Sequence, residues 1–184
     1  MCDFTIECPE IAALSKAGQF VHIRVPGFTL RRPISICEVD KQAGTIRILF
    51  DIRGEGTKVL ANTKEGDLLD VMGPLGNGFE LLDPSKKAVV VGGGIGVPPM
   101  LETAKSYGEN ATAILGFRSE DKIVLTDDFT AQKNRVMLCT DDGSAGHHGL
   151  VTDLLKVRME EEKPEIVYAC GPKIMLKFVA KMCE

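Results

Sequence analysis

Residues 87–99 read KAVVVGGGIGVPP, and this stretch decides the fold. The unbroken apolar run Ala88–Val91 suits a strand buried on both faces of a parallel sheet, where a half-solvated strand would alternate. Four glycines follow within five residues, then two prolines, which a helix tolerates in its first turn. The same rhythm continues downstream. VPPMLETAKSYGEN reads as a helix, ATAILGF as a second buried strand, NRVMLCTDD as a third and PEIVYACG as a fourth. GLVTDLLKVRMEE and PKIMLKFVAKMCE carry apolar residues at helical spacing. Alternating strands and helices predict a doubly wound parallel sheet with right-handed crossovers.

Upstream the rhythm is different. GQFVHIRV, RRPISICEV and GTIRILFDI are short runs rich in β-branched residues, separated by Gly, Pro and charged clusters. DLLDVMGPLG adds another short strand and a Gly/Pro turn. Close-set strands with little helical periodicity predict a small antiparallel barrel. TKVLANTKEGD is the one short helix expected here, over Lys58–Asn62. The two halves join around Phe79 to Ser85, so residues 1–82 and 83–184 are expected to form two domains.

Composition narrows the chemistry. A net charge of −4 argues against nucleic acid or an anionic membrane as partner, so any phosphate must be held by local N–H groups and a few cations. No apolar run is long enough to span a bilayer, and the start MCDFTIECPE lacks the features of a signal peptide, so a cytoplasmic setting is expected. Cys2, Cys8, Cys37, Cys139, Cys170 and Cys183 form no CxxC pair and match no zinc or iron–sulfur spacing. They are expected to be reduced thiols, with no metal bound.

Four constellations carry chemistry. Arg32-Pro33-Ile34-Ser35, after Arg31, puts a guanidinium and then a hydroxyl on one strand, able to hold a phosphate and a polar ring edge. An edge strand with solvated arginines shares that pattern. Gly54-Glu55-Gly56-Thr57 before a helix exposes backbone donors to an anion, or is a turn with Thr57 as N-cap. Gly92-Gly93-Gly94-Ile95-Gly96 lies between strand and helix, where a pyrophosphate approaches the backbone. It departs from the GxGxxG fingerprint, because Val97 stands where the third glycine would be. The ribose-binding acid expected after the second strand is also missing, Gly116-Phe117-Arg118-Ser119 standing there. Cys170-Gly171-Pro172 ends the last strand, at the edge where doubly wound sheets bind ligands. No histidine stands near Cys170 in sequence to make it a nucleophile, and His147-His148 lies in a Gly-rich loop.

In this order the motifs resemble the ferredoxin-reductase family of flavoproteins. Gly73-Pro74-Leu75-Gly76-Asn77-Gly78-Phe79, Thr140-Asp141-Asp142-Gly143-Ser144 and Gly149-Leu150-Val151-Thr152-Asp153 narrow the likeness to the electron-transfer subunits of class 1B dihydroorotate dehydrogenase. The resemblance implies an all-β antiparallel Greek-key flavin-binding barrel followed by an α/β doubly wound parallel-sheet nucleotide-binding domain. It implies FAD against Arg32, Pro33, Ile34 and Ser35, with Leu49, Phe50 and Asp51 on the next strand and Gly56 and Thr57 at the pyrophosphate. NAD would take Gly92, Gly93, Gly94, Ile95 and Gly96, with Asp141 and Asp142 nearby and Gly171 and Pro172 beside Cys170. Cys170 would stand where nicotinamide meets flavin, as the candidate catalytic residue.

The implied activity is electron transfer between a partner dehydrogenase and NAD⁺ through FAD, in pyrimidine biosynthesis. Dihydroorotate oxidation itself would fall to a catalytic partner subunit, in a heterotetramer. Such proteins also carry a C-terminal cysteine cluster for a [2Fe–2S] centre, and this chain holds no ligands for one. Its start, CDFTIECPEIAAL, would correspond to the second barrel strand, so a truncated chain is expected rather than a cluster-free variant. A small subunit of a related hydrogenase, a ferredoxin–NADP oxidoreductase subunit and a non-catalytic nucleotide-sensing module are the alternatives. The choice between NAD and NADP stays open at this point.

Overall fold

Five runs with apolar residues on alternate positions pair into an antiparallel sheet in the first part of the chain. A computed structural model describes all 184 residues, which divide between Phe79 and Glu80 into two units. In the first unit the strands are β1 (Cys2–Glu7), β2 (Phe20–Ile23), β3 (Arg32–Asp40), β4 (Thr45–Phe50) and β5 (Val71–Leu75), in the order β1-β4-β3-β2-β5. Strands β2, β3 and β4 run as a meander and β1 returns beside β4, which is Greek-key connectivity. Strand β3 serves two ladders: Arg32–Ser35 pair with β2, and Ile36–Asp40 pair with β4. The register shifts between Ile36 and Glu38, an irregularity of the kind that bends a strand from one ladder to the next. Inward residues Val21, Ile23, Ile34, Ile36, Ile46, Ile48 and Phe50 form one core with Ala12 and Leu60. Burying each large aliphatic contributes roughly 1.5–3 kcal/mol.

Two corrections to the sequence reading arise here. CDFTIECPEIAAL is not strand throughout: β1 ends at Glu7, and Pro9–Leu14 form helix α1, with Pro9 opening the first turn and Ala12 in the core. The second short helix, α2, covers Glu55–Leu60, three residues earlier than expected. Gly54 is its N-cap. The Thr57 hydroxyl accepts from the N–H groups of Arg53 and Gly54 at 2.9 and 3.1 Å, so it closes the turn from inside the helix.

The second unit is built on five parallel strands: β6 (Ala88–Gly93), β7 (Ala111–Phe117), β8 (Arg135–Thr140), β9 (His147–His148) and β10 (Ile166–Cys170). Their order is β10-β6-β7-β8-β9, so the winding reverses between β6 and β10. Helices α3 (Pro98–Lys105), α4 (Thr126–Ala131) and α5 (Val151–Glu161) lie in the connections between them, and α6 (Lys173–Cys183) follows β10. Val151, Leu155 and Val179 of α5 and α6 bury Val89, Val91, Ile114 and Cys139. Helix α3 stops at Lys105, short of the expected Asn110. The Asn134 amide donates to the carbonyls of Ala104 and Gly108 at 3.1 and 2.7 Å and ends it there. Helix α4 has no counterpart in the sequence reading; Leu125 enters it at φ 66°, a left-handed conformation that a leucine does not signal. No helix is long and apolar enough to cross a membrane.

A chain of hydroxyls ties Glu80–Leu82 into this unit. The Leu82 N–H donates to the Tyr107 hydroxyl, Tyr107 meets Tyr168, and Tyr168 donates to the Glu80 carbonyl, each at 2.8 Å. Burial, then the Tyr107 hydroxyl, push the Tyr168 phenol well above its ordinary range. Tyr168→Phe takes the acceptor from the Tyr107 hydroxyl proton and the donor from the Glu80 carbonyl, and should cost about 1–3 kcal/mol. The denaturant midpoint of the full chain reads this, with secondary structure unchanged.

Candidate functional sites

In the first unit Arg32 opens β3, and its guanidinium is held on three sides. It donates to the Leu30 carbonyl at 2.5 Å, stands 5.0 Å from the centre of the Phe28 ring, and lies against Gly56 in the first turn of α2. A Cβ on Gly56 would fall on the guanidinium, so glycine is required for this approach. The first-turn N–H groups of α2 have no acceptors within the helix, and Arg32 puts a cation beside them. A cation and first-turn N–H donors are therefore gathered at one place from two motifs 24 residues apart in Arg32 and Gly56. Along β3, Pro33 is exposed, Ile34 enters the core, and Ser35 is half-buried with its hydroxyl engaging no protein group. Leu49 and Phe50 are buried. Phe50 sits edge-on to Phe4 at 5.2 Å within the core, so only its backbone is available to a ligand. Asp51 is half-buried, 3.7 Å from Arg53.

The sequence reading missed a cleft of about 600 Å³ beside this cradle, lined by Arg24, Val25, Pro26, Gly27, Phe28, Thr29 and Arg31. Arg31 is not free in it: its guanidinium pairs with Asp70 at 2.8 Å and donates to the Asp70 carbonyl. A Pro-Gly turn carrying an aromatic between arginines was the available signal.

In the second unit the Gly-rich stretch and the Cys-Gly-Pro turn come together at the carboxyl ends of β6 and β10, where the winding reverses. Cys170 pairs with Gly92 across the ladder. A Cβ on Gly96 would land on the Cys170 carbonyl, and one on Gly93 would stand 2.6 Å from the Met175 sulfur and 3.1 Å from Pro172. A Cβ on Gly92 would stand 2.8 Å from the Val97 backbone. Gly92 and Gly96 are needed for backbone to meet backbone, whereas Gly93 faces the end of the Met175 side chain and the Pro172 ring. Gly94, at φ 54° with nothing within 4 Å of its missing Cβ, is the one that faces open space. Ile95 is partly exposed beside it. Only part of the glycine pattern thus answers to a ligand.

Cys170 is half-buried, and burial raises its thiol, which favours the neutral form and not a nucleophilic thiolate. Asp141 and Asp142 follow β8, and their N–H groups donate to the carbonyls of Phe117 and Arg118 at 3.0 and 3.2 Å. His147 and His148 are exposed; His147 lies 3.5 Å from Asp153. Cys139 lies beneath this edge. Burial first, then the carboxylates of Asp141 and Asp153, push its thiol from 9.0 to about 11. The folded chain thus keeps a proton that the unfolded chain releases near 9.0. Stability is full below that pH and declines as pH rises toward about 11. Thermal midpoints across this window measure the decline, and Cys139→Ala should flatten it.

The profile of the oxidoreductase NAD-binding domain matches residues 90–181. The chain is 44% identical over 182 residues to the dihydroorotate dehydrogenase B (NAD(+)) electron transfer subunit of Streptococcus mutans, covering 95% of this chain and 69% of that protein. It is 39% identical over 187 residues to the subunit of the same name from Bacillus caldolyticus, covering 97% and 72%. Among solved structures, that of an NADH-dependent reduced ferredoxin–NADP oxidoreductase matches with a TM-score of 0.84 at 33% identity. The match takes in 98% of this chain and 66% of that one, just under two thirds of its length.

Proposed function

The chain belongs to the family of dihydroorotate dehydrogenase B (NAD⁺) electron-transfer subunits, and on that premise we propose that it binds FAD with its first unit and NAD with its second, and carries electrons between them. The observation that carries this reading is the closure of Gly92–Gly96 on Cys170–Pro172 at the point where the parallel winding reverses.

Both cradles fit the groups assigned to them. In the first unit, Arg32 would take the flavin phosphates with the N–H groups of Gly56 and Thr57. Pro33 and Ile34 would line the ring, the Ser35 hydroxyl would bond its polar edge, and Leu49, Phe50 and Asp51 would offer backbone from β4. In the second unit, the open side of Gly94, with Gly92, Gly93, Ile95 and Gly96, would receive the nucleotide phosphates. Cys170, Gly171 and Pro172 would orient the nicotinamide and keep water from it, the neutral thiol acting as a positioning group and not as a nucleophile. When bound, the two cofactors supply hydride exchange, which the side chains of this chain cannot perform. No three His, Cys, Asp or Glu side chains gather as a ligand set, so a [2Fe–2S] centre does not fit these residues and no step is derived through one.

The wider activity rests on the family. We assign the chain to a cytoplasmic assembly, a heterotetramer with a catalytic subunit that oxidises dihydroorotate in pyrimidine biosynthesis. The likeness to the ferredoxin–NADP oxidoreductase structure supports a second reading, in which the partner is another electron carrier. Affinity purification of the native protein from its own cells separates the two. A dihydroorotate-oxidising subunit, with FAD in the released flavin, supports the first reading. A ferredoxin-reducing subunit overturns it in favour of the second.

A further inference from the structure

We propose that Met175 is a positioning residue for the nucleotide, a wedge that sets the spacing between the Gly-rich turn and the Cys-Gly-Pro turn. This rests on the nucleotide site assigned above.

Gly93 stands at φ −119° and ψ 115°, a conformation open to any residue, so its backbone does not call for glycine. The space around it does. A Cβ on Gly93 would stand 2.6 Å from the Met175 sulfur and 3.6 Å from its methyl carbon. A Cβ on Gly171 would stand 2.7 Å from that methyl carbon and 3.1 Å from that sulfur. One thioether therefore fills the space that two Cβ atoms would need, its sulfur toward Gly93 and its methyl toward Gly171. The backbones pass close here as well, since a Cβ on Gly171 would also stand 3.2 Å from the Gly93 nitrogen.

The helix fixes where the wedge starts. Met175 lies in the first turn of α6, and the Leu176 N–H donates to the Pro172 carbonyl at 3.1 Å. Met175 also packs, partly buried, on the core that holds Val89, Val91 and Val179. The ladder between the two strands ends at Cys170 and Gly92. Beyond that pair the turns diverge from sheet geometry, and the thioether stands between them at Gly93 and Gly171.

In the assigned site the Gly-rich turn takes the pyrophosphate and Cys170–Pro172 take the nicotinamide. The spacing of the turns must then match the distance between those two groups of one ligand. An unbranched thioether suits an irregular gap of this kind. Truncating it leaves a cavity into which the neighbours relax only in part. A shift of about 1 Å between the two grips penalises a ligand that uses both and spares a ligand that uses one.

The test uses the full chain and two ligands in calorimetric titrations: NAD⁺, which would reach both turns, and ADP-ribose, which carries the pyrophosphate and lacks the nicotinamide. Wild type is expected to bind NAD⁺ more tightly. In Met175→Ala, affinity for NAD⁺ relative to ADP-ribose should fall about ten-fold. Met175→Leu, close in volume and reaching one atom less far, should keep most of the wild-type ratio. Should Met175→Ala fail to fold, Met175→Val, with no atom beyond Cγ, reads the same ratio. Equal weakening of both ligands would show a merely structural role and overturn the wedge, as would unchanged affinities. Equal affinities in wild type overturn it too, because the nicotinamide would then gain nothing from the Cys-Gly-Pro turn. In each of these cases the pyrophosphate site stands. If wild type binds neither ligand, the nucleotide site itself falls, and this inference with it.

Discussion

Gly96→Ala is expected to destabilise the second unit by about 3 kcal/mol or more, and to abolish nucleotide binding with it. The added methyl would fall on the carbonyl carbon and oxygen of Cys170, with the Gly171 nitrogen 2.7 Å away. Everything it meets is backbone, so no rotamer change can relieve the clash. The end of β10 cannot yield cheaply either, because Cys170 is in register with Gly92 on the adjacent central strand β6. Gly94→Ala is the control. Its Cβ meets nothing, and only the positive φ penalises it, by about 1 kcal/mol. Denaturant midpoints of the two variants should therefore separate widely, and equal midpoints would show that the loop does not close on the Cys-Gly-Pro turn.

The second large effect concerns flavin. Arg32→Ala removes the cation beside the first turn of α2, and loss of its charge-assisted bonds should weaken flavin binding by about ten- to a hundred-fold. Gly56→Ala should have a similar result by another route, since its methyl displaces the guanidinium while leaving the charge in the protein. Neither change touches the barrel core, so stability of the flavin-free protein should barely move. Flavin content after purification, set against the flavin-free melting temperature, reads the two effects separately. Retained flavin in both variants would remove Arg32 from the site.

Much of this was legible because the chemistry is written in runs. Ala88–Val91 and Ala111–Phe117 are apolar throughout because both faces of the parallel sheet are covered, and burial of every residue of β7 bears that out. The barrel strands β2 to β4 were legible as short β-branched runs between Gly, Pro and charged clusters, whereas β1, whose Cys2, Phe4 and Ile6 turn inward, was placed only through the resemblance. Helix α1 was hidden because six residues hold too few turns to show a period, and α4 because its entry depends on a left-handed leucine. The glycines of 92–96 were read as making room for a phosphate. Three of them make room for Val97, Met175 and Cys170, and the last two contacts exist only once β6 and β10 are neighbours. Likewise nothing in TDDGS tells that the Asp142 carboxylate is tied to its own loop; that follows from where the Ser144 hydroxyl points.

The central claim, that this one chain holds a flavin and a nicotinamide nucleotide in electronic communication, is tested most directly by anaerobic titration of the purified, flavin-loaded protein with NADH. The account predicts that the visible flavin band bleaches in proportion to the NADH added and returns on reoxidation. A flavin band that stays unchanged while NADH binds would contradict it.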